Sequence, residues 1–186
     1  MRHRISQTLA VLAALIMGAS LAAQEDDMFS FIPLGGRSLL EGVQAEGLPK
    51  DFGEAIRSKS ADAEYWRQAL AQASETSPAI AELDTWQTDT LAYYLAARAP
   101  LPADEDLPRD GRDMSLELCQ SCHIITVVIT QDRTREAWLG TMNSPSHIEI
   151  ETTPEERQLL ADYLVLNAGI PIDEVPPALR AGGASY

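Results

Sequence analysis

The chain holds two cysteines, Cys119 and Cys122, and a histidine follows the second directly: Cys119-Gln120-Ser121-Cys122-His123. Nothing else in its 186 residues restricts the fold so strongly. Two thiols three apart on a helical turn share one face, and the next residue sets an imidazole beside them. A disulfide or a reactive thiol pair of the thioredoxin type would have no use for that histidine. Zinc is a closer rival, because Cys119, Cys122, His123 and His147 would supply four ligands. Adjacent Cys122 and His123 are, however, awkwardly placed to reach one tetrahedral ion. The pattern C-x-x-C-H is the one that carries a covalent haem: each thiol adds to one vinyl group, and His123 becomes the proximal iron ligand.

The flanks of the motif resemble the class I c-type cytochromes. In "GRDMSLELC", Gly111 stands eight residues before Cys119, where the attachment helix of that family opens. Met114, Leu118 and Cys122 then fall along one helical face. "TTPEERQLLADYLVLNAGIP" resembles the family's C-terminal helix with its Tyr-Leu pair. The run from "DRTREAW" to "ADYLVLN" is most similar to small monohaem cytochromes that serve periplasmic dehydrogenases, such as the electron-accepting subunits of sulfite dehydrogenases. The resemblance covers roughly residues 107–175 and implies an all-α domain with one haem c and an electron-carrying role. The chain departs from the family in two places. Ser115 stands where an aromatic is usual, and no proline between His123 and Pro145 offers a carbonyl to the proximal imidazole. A backbone carbonyl from "IITVVIT" is expected to fix that ring instead.

The last helix can be argued from its residues alone. Thr153 is a good N-cap, Pro154 suits the first helical position, and Glu156 completes a capping box. Leu159, Leu160, Tyr163 and Leu164 make an apolar stripe, and Gly169 ends the helix.

Composition sets the surroundings. Apolar residues at 45% permit a core, and a formal charge of -14 with 6% aromatics leaves no cationic surface for nucleic acid. "MRHRISQTLAVLAALIMGASLAAQEDD" has Arg2 and Arg4, then an apolar run from Thr8 to Ala23, then small residues before an acidic stretch. Residues 1–23 therefore read as a secretory signal peptide, its run being short of the roughly 20 residues a membrane span needs. The expected location is the periplasm, with no stable membrane insertion. Without that segment the histidines are His123 and His147, and the methionines Met28, Met114 and Met142.

The sixth iron ligand is then a choice between two residues. Met142 lies four positions after Trp138 on a short helix read from about Thr134, so the two share a face of the haem pocket. His147 lies in the loop "NSPSHIEI", seven residues before Pro154, near the slot the ligand takes in the resembling cytochromes. Met142 is preferred, with His147 as the alternative; a thioether raises the potential and a second imidazole lowers it. Arg133 and Arg135 are candidates for pairing with haem propionates.

Residues 24–106 contain no cysteine or histidine and read as helical, with one helix in "SADAEYWRQALAQASE" and another in "DTWQTDTLAYYLAARA", Asp84 being its N-cap. "PLPADEDLPRDG" reads as a linker to a monohaem domain at 107–186. "TLAYYLAARAPLP" at 90–102 echoes "LLADYLVLNAGIP" at 159–171, six of thirteen positions matching at an offset of 69. Either a haem-free, degenerate copy of the cytochrome domain or the shared composition of two amphipathic helices would produce that echo.

The functional expectation is a periplasmic single-electron carrier or relay subunit, not an enzyme in its own right. The alternatives are a haem protein with a displaceable sixth ligand that binds gases or turns over small oxidants, and a non-haem module held by zinc or a disulfide. Glu149, Glu151, Glu155 and Glu156 would make the electron-exchange edge negative and suit a basic redox partner.

Overall fold

The computed structural model describes residues 28–102 and 106–180. The expected signal peptide lies outside the described residues, as does the centre of the expected linker, residues 103–105. The chain divides into a unit ending at Ser30 and a second beginning at Phe31. Residues 28–30, the described part of the first, form a turn, and all that follows concerns the second. The fold is all-α, and among the described residues there is no strand. None of the described helices is long and apolar enough to cross a membrane.

The helices are α1 (Gly36–Glu46), α2 (Lys50–Ser58), α3 (Ala63–Ser74), α4 (Pro78–Ala81), α5 (Thr85–Arg98), α6 (Gly111–Met114), α7 (Thr126–Ile129), α8 (Arg135–Met142) and α9 (Pro154–Asn167). A π-helical turn at Ser115–Cys119 continues α6, and a short 3₁₀ turn follows at Pro177–Leu179. The expected caps are present. The Asp84 carboxylate accepts from the Gln87 N–H and the Gln87 side chain returns the bond, and Thr153 with Glu156 does the same for α9. Thr134 caps α8, and Gly169, at φ 84°, follows the last residues of α9. Left-handed backbone of that kind is where glycine is favoured.

The two long helices, α5 and α9, lie against each other, and each carries its own set of shorter helices. On α5 pack α1 and α3; on α9 pack α6 and α8. The echo seen in the sequence continues into these contacts. Helix α1 crosses α5 so closely that a Cβ on Gly36 would stand 2.2 Å from Tyr94 Cβ, and α6 crosses α9 so that a Cβ on Gly111 would stand 2.1 Å from Tyr163 Cβ. Both glycines are required by these approaches, since a real Cβ at either distance is impossible. The Leu101 N–H donates to Ile56 O and the Ile170 N–H to Ile129 O, 69 residues apart on the donor side. Trp66 and Trp138 each follow a helix N-cap by four residues, Asp62 in one case and Thr134 in the other, and both are buried.

The halves are joined reciprocally. Tyr94 Oη donates to Pro108 O at 2.8 Å, three residues before Gly111, and Tyr163 Oη donates to Pro33 O at 2.7 Å, three residues before Gly36. Asn167 on α9 donates to Thr90 Oγ1 on α5. One buried carboxylate, Asp110, accepts from the Asp113 N–H at the start of α6 and from the Arg37 N–H at the start of α1. Gly35, the N-cap of α1, has no side chain to offer, and a Cβ there would lie 2.0 Å from Asp110 Oδ2. One acid thus satisfies exposed amide groups at two helix starts.

Candidate functional site

The motif is shaped by the backbone before any side chain acts. The π turn carries the chain to Cys119, whose carbonyl accepts the N–H groups of Cys122 at 3.3 Å and His123 at 2.9 Å. This tight closure brings both sulfurs and the imidazole to one cavity, for which π-helical widening is a frequent device. Both cysteines are free thiols, Cys122 exposed and Cys119 partly buried. Burial pushes the Cys119 thiol up to about 11, away from the lowered value that makes a thioredoxin-type cysteine reactive.

The cavity has a volume of about 540 Å³ and takes its walls from both sides of the second half. Cys119, Cys122 and His123 form one wall. Trp138, Thr141 and Met142 of α8, His147 of the following loop, and Leu160 and Leu164 of α9 line it as well. A pocket of this size and apolar character accommodates a cofactor-sized ligand. The Trp138 Nε1–H is buried with no acceptor.

The His123 and His147 rings both border this space, with centroids 6.1 Å apart and planes inclined by 32°. Two imidazoles bound through nitrogen at about 2.0 Å to opposite faces of one metal ion hold their ring centres roughly 6 Å apart. The hydrogen bonds around His147 favour one tautomer by a count of protons. Ser144 Oγ donates to Thr141 O at 2.7 Å, so its one hydrogen is used, yet it lies 3.0 Å from His147 Nδ1 and 3.0 Å from Ser146 Oγ. Ser146 Oγ is also 3.0 Å from Nδ1. All these contacts are favourable when Nδ1 carries the hydrogen and Ser146 donates to Ser144. In the neutral ring of that tautomer Nε2 is the nitrogen with the free lone pair, the one a metal-binding histidine uses.

Comparison with protein-family models, with curated proteins and with solved structures finds no match to this chain. The site is therefore read from its own geometry.

The remaining expected residues are placed as follows. Met142 is buried and lines the cavity. Arg133 lines it too, lying 5.0 Å from the Trp138 ring centre and donating to Thr141 Oγ1 at 2.8 Å. Arg135 is absent from the cavity wall, since its guanidinium is bound to Asp162 and Gln158 of α9. The backbone carbonyl expected at His123 is not found among the described residues: the Ile129 carbonyl accepts from Ile170, and the Thr126 carbonyl from Thr130 within its own turn. Among the described residues no three His, Cys, Asp or Glu side chains gather in a metal-binding group, so the four candidate zinc ligands are not assembled.

Glu149, Glu151 and Glu155 are exposed. Glu156 is not part of that face. Arg109 holds it through bonds of 2.9 and 3.0 Å and Arg98 through one of 3.3 Å, and the Arg109 contact, with the Thr153 N–H and Arg98, brings its carboxyl down to about 2. Sequence reasoning also missed Ser144, Ser146 and Arg157. The serines were legible as hydroxyls flanking a histidine; nothing local marks Arg157.

A covalently attached haem, the group the sequence implies, makes four demands: two thiols, a first imidazole, a second axial donor and an apolar enclosure. Cys119 with Cys122, His123, His147 and the α8–α9 wall fit them. The unpartnered Trp138 N–H and the Arg133 guanidinium are donors suited to the carboxylates of such a group.

Proposed function

We propose that this protein is a monohaem c-type cytochrome with two histidine ligands, a single-electron carrier or relay of the periplasm. The reading rests above all on the 6.1 Å approach of the His123 and His147 rings in the cavity that both thiols border. Cys119 and Cys122 would hold the haem covalently, and His123 and His147 would offer nitrogen donors to its iron. When bound, the haem supplies one-electron chemistry at a potential lowered by the second imidazole.

The protein's own residues do the rest. Ser144 and Ser146 orient the His147 ring through Nδ1, the apolar wall limits water, and Trp138 and Arg133 offer hydrogen bonds to carboxylates. Met142 packs beside the distal loop as part of the wall. On this reading, the half from Phe31 to Leu101 is a haem-free copy of the same helical arrangement. The exposed Glu149 and Glu151 beside His147 suit a redox partner with a basic surface.

The test is spectroscopic, on protein matured with haem attachment. The ferric form should be low-spin without the far-red band of Met–iron ligation, and His147→Ala should abolish the low-spin spectrum while Met142→Leu keeps it. Cys119→Ala with Cys122→Ala should leave no haem bound through denaturation. A far-red band in the parent that disappears in Met142→Leu would transfer the ligand role to Met142.

A further inference from the structure

The loop that carries His147 is held by very little of itself. Ile148 is exposed, and besides the serine contacts to His147 Nδ1 the internal bonds are those of a few backbone turns: His147 N–H to Ser144 O at 2.9 Å, Ile150 N–H to His147 O at 3.2 Å and Thr152 N–H to Ile150 O at 2.8 Å. Segments with few buried apolar contacts are the first to open. Two side chains from outside tie the loop down: Arg109 Nη2 donates to Glu151 O at 3.1 Å, and Arg157 makes the larger set of bonds. Arg157, one turn into α9, donates through Nη1 to Met142 O, where α8 ends. Its Nη2 reaches Ile150 O at 3.2 Å, with longer contacts of 3.5 Å to His147 O and Ile148 O. Both ends of the loop and the carbonyl of the histidine itself thus converge on one guanidinium, which is also part of the cavity wall.

We infer that Arg157 is the positioning residue for the distal ligand: its guanidinium keeps the 143–150 loop closed and so sets how readily His147 leaves the iron. This inference rests on the bis-histidine reading for its spectroscopic consequence, but the closure of the loop can be measured separately. Charge-assisted hydrogen bonds to several carbonyls are the strong kind, and a planar fork spans them as a single ammonium cannot. Removing them raises the open population of the loop without touching the motif, the thiols or the helix crossings.

The experiment uses the haem-loaded protein with Arg157→Met and Arg157→Lys. Carbon monoxide binding to the ferrous form, which must await departure of the sixth ligand, should be about tenfold or more faster in Arg157→Met and intermediate in Arg157→Lys. Amide exchange at His147 and Ile150 should accelerate by a similar factor, while amides of α5 keep their protection. A parent-like exchange rate in Arg157→Met would overturn the inference. If exchange accelerates but His147→Ala keeps the parent spectrum, the loop closure stands and the coordination proposed above fails. If exchange accelerates and His147→Ala loses the low-spin spectrum, an unchanged carbon monoxide rate would overturn the control of the ligand by Arg157. Should Arg157→Met lose structure altogether, the intermediate behaviour of Arg157→Lys carries the decision: parent-like exchange in that folded variant overturns the inference.

Discussion

The half built on α5 and the half built on α9 share a scaffold and differ in what it encloses. Counted eight residues from the crossing glycine, Gln44-Ala45-Glu46-Gly47-Leu48 stands in the first where Cys119-Gln120-Ser121-Cys122-His123 stands in the second. Helix α1 runs regularly for 11 residues and ends at Gly47 with φ 97°, whereas α6 passes after four residues into the π turn. Leu70 takes the place of Met142, each four residues beyond its tryptophan, and is fully buried, while the open cleft of this half, about 720 Å³ beside Gly47, Leu48 and Phe52, has no thiol or imidazole on its lining. Trp66 there meets the Phe52 ring edge-on at 6.3 Å. Both indole N–H groups are buried without an acceptor, but only that of Trp138 borders a cavity in which one can be supplied. The comparison teaches that the scaffold and the site are separable. Crossing glycines, tyrosines and caps make the fold, and a handful of residues decide which chemical groups line the space beside it.

The largest effect is expected at the crossings. Gly36→Ala and Gly111→Ala should each cost about 3 kcal/mol, because the new methyl must displace a buried tyrosine, and should lower Tm by about 6–12 °C. Gly42 and Gly140, helical glycines with nothing within 4 Å of a Cβ, should accept alanine with a gain of up to about 1 kcal/mol. A tolerated Gly36→Ala beside a damaging Gly111→Ala, read by thermal melts, would break the equivalence of the halves.

A smaller effect is expected where the halves meet electrostatically. Glu156, on α9, is held by Arg98 of α5 and by Arg109, and its carboxyl is lowered to about 2 from 4.5. A lowered folded value contributes stability that is complete above pH 4.5 or so and disappears as pH falls toward 2. With Arg109 partly screened by solvent, the contribution is about 2 kcal/mol. Glu156→Gln should lose it at neutral pH and show a correspondingly shallower acid limb in urea titrations between pH 5 and 2. An acid limb unchanged from the parent would remove Glu156 from the link between the halves.

The smallest effect tests the reciprocal bonds. Tyr94→Phe and Tyr163→Phe each remove one hydroxyl from a carbonyl of the other half, and each should cost about 1 kcal/mol in denaturant unfolding. Equal costs sharpen the comparison; a cost at one tyrosine alone would show that one half leans on the other.

Local physics made much of this legible from the sequence. Asp84 with Gln87, Thr134, and Thr153 with Glu156 are helix starts whose donors and acceptors lie within four residues of each other, and the structure places them there. The spacing of the motif put two thiols and an imidazole together because they share one turn. Helix α1 was not legible for the opposite reason: its cap is Asp110, 75 positions along the chain from Gly35. The preference for Met142 over His147 was argued from counting along a helix. How near His147 comes to His123 depends on how the loop returns from α8 to α9, and that return is tied by Arg157, Arg109 and two serine hydroxyls. By itself the sequence determined the chemistry available and the helices that carry it, since both are matters of neighbours in the chain. The tertiary structure alone decided that the His147 ring comes within 6.1 Å of the His123 ring and that the two halves hold each other through Pro33 and Pro108, because those contacts are made by residues far apart in sequence.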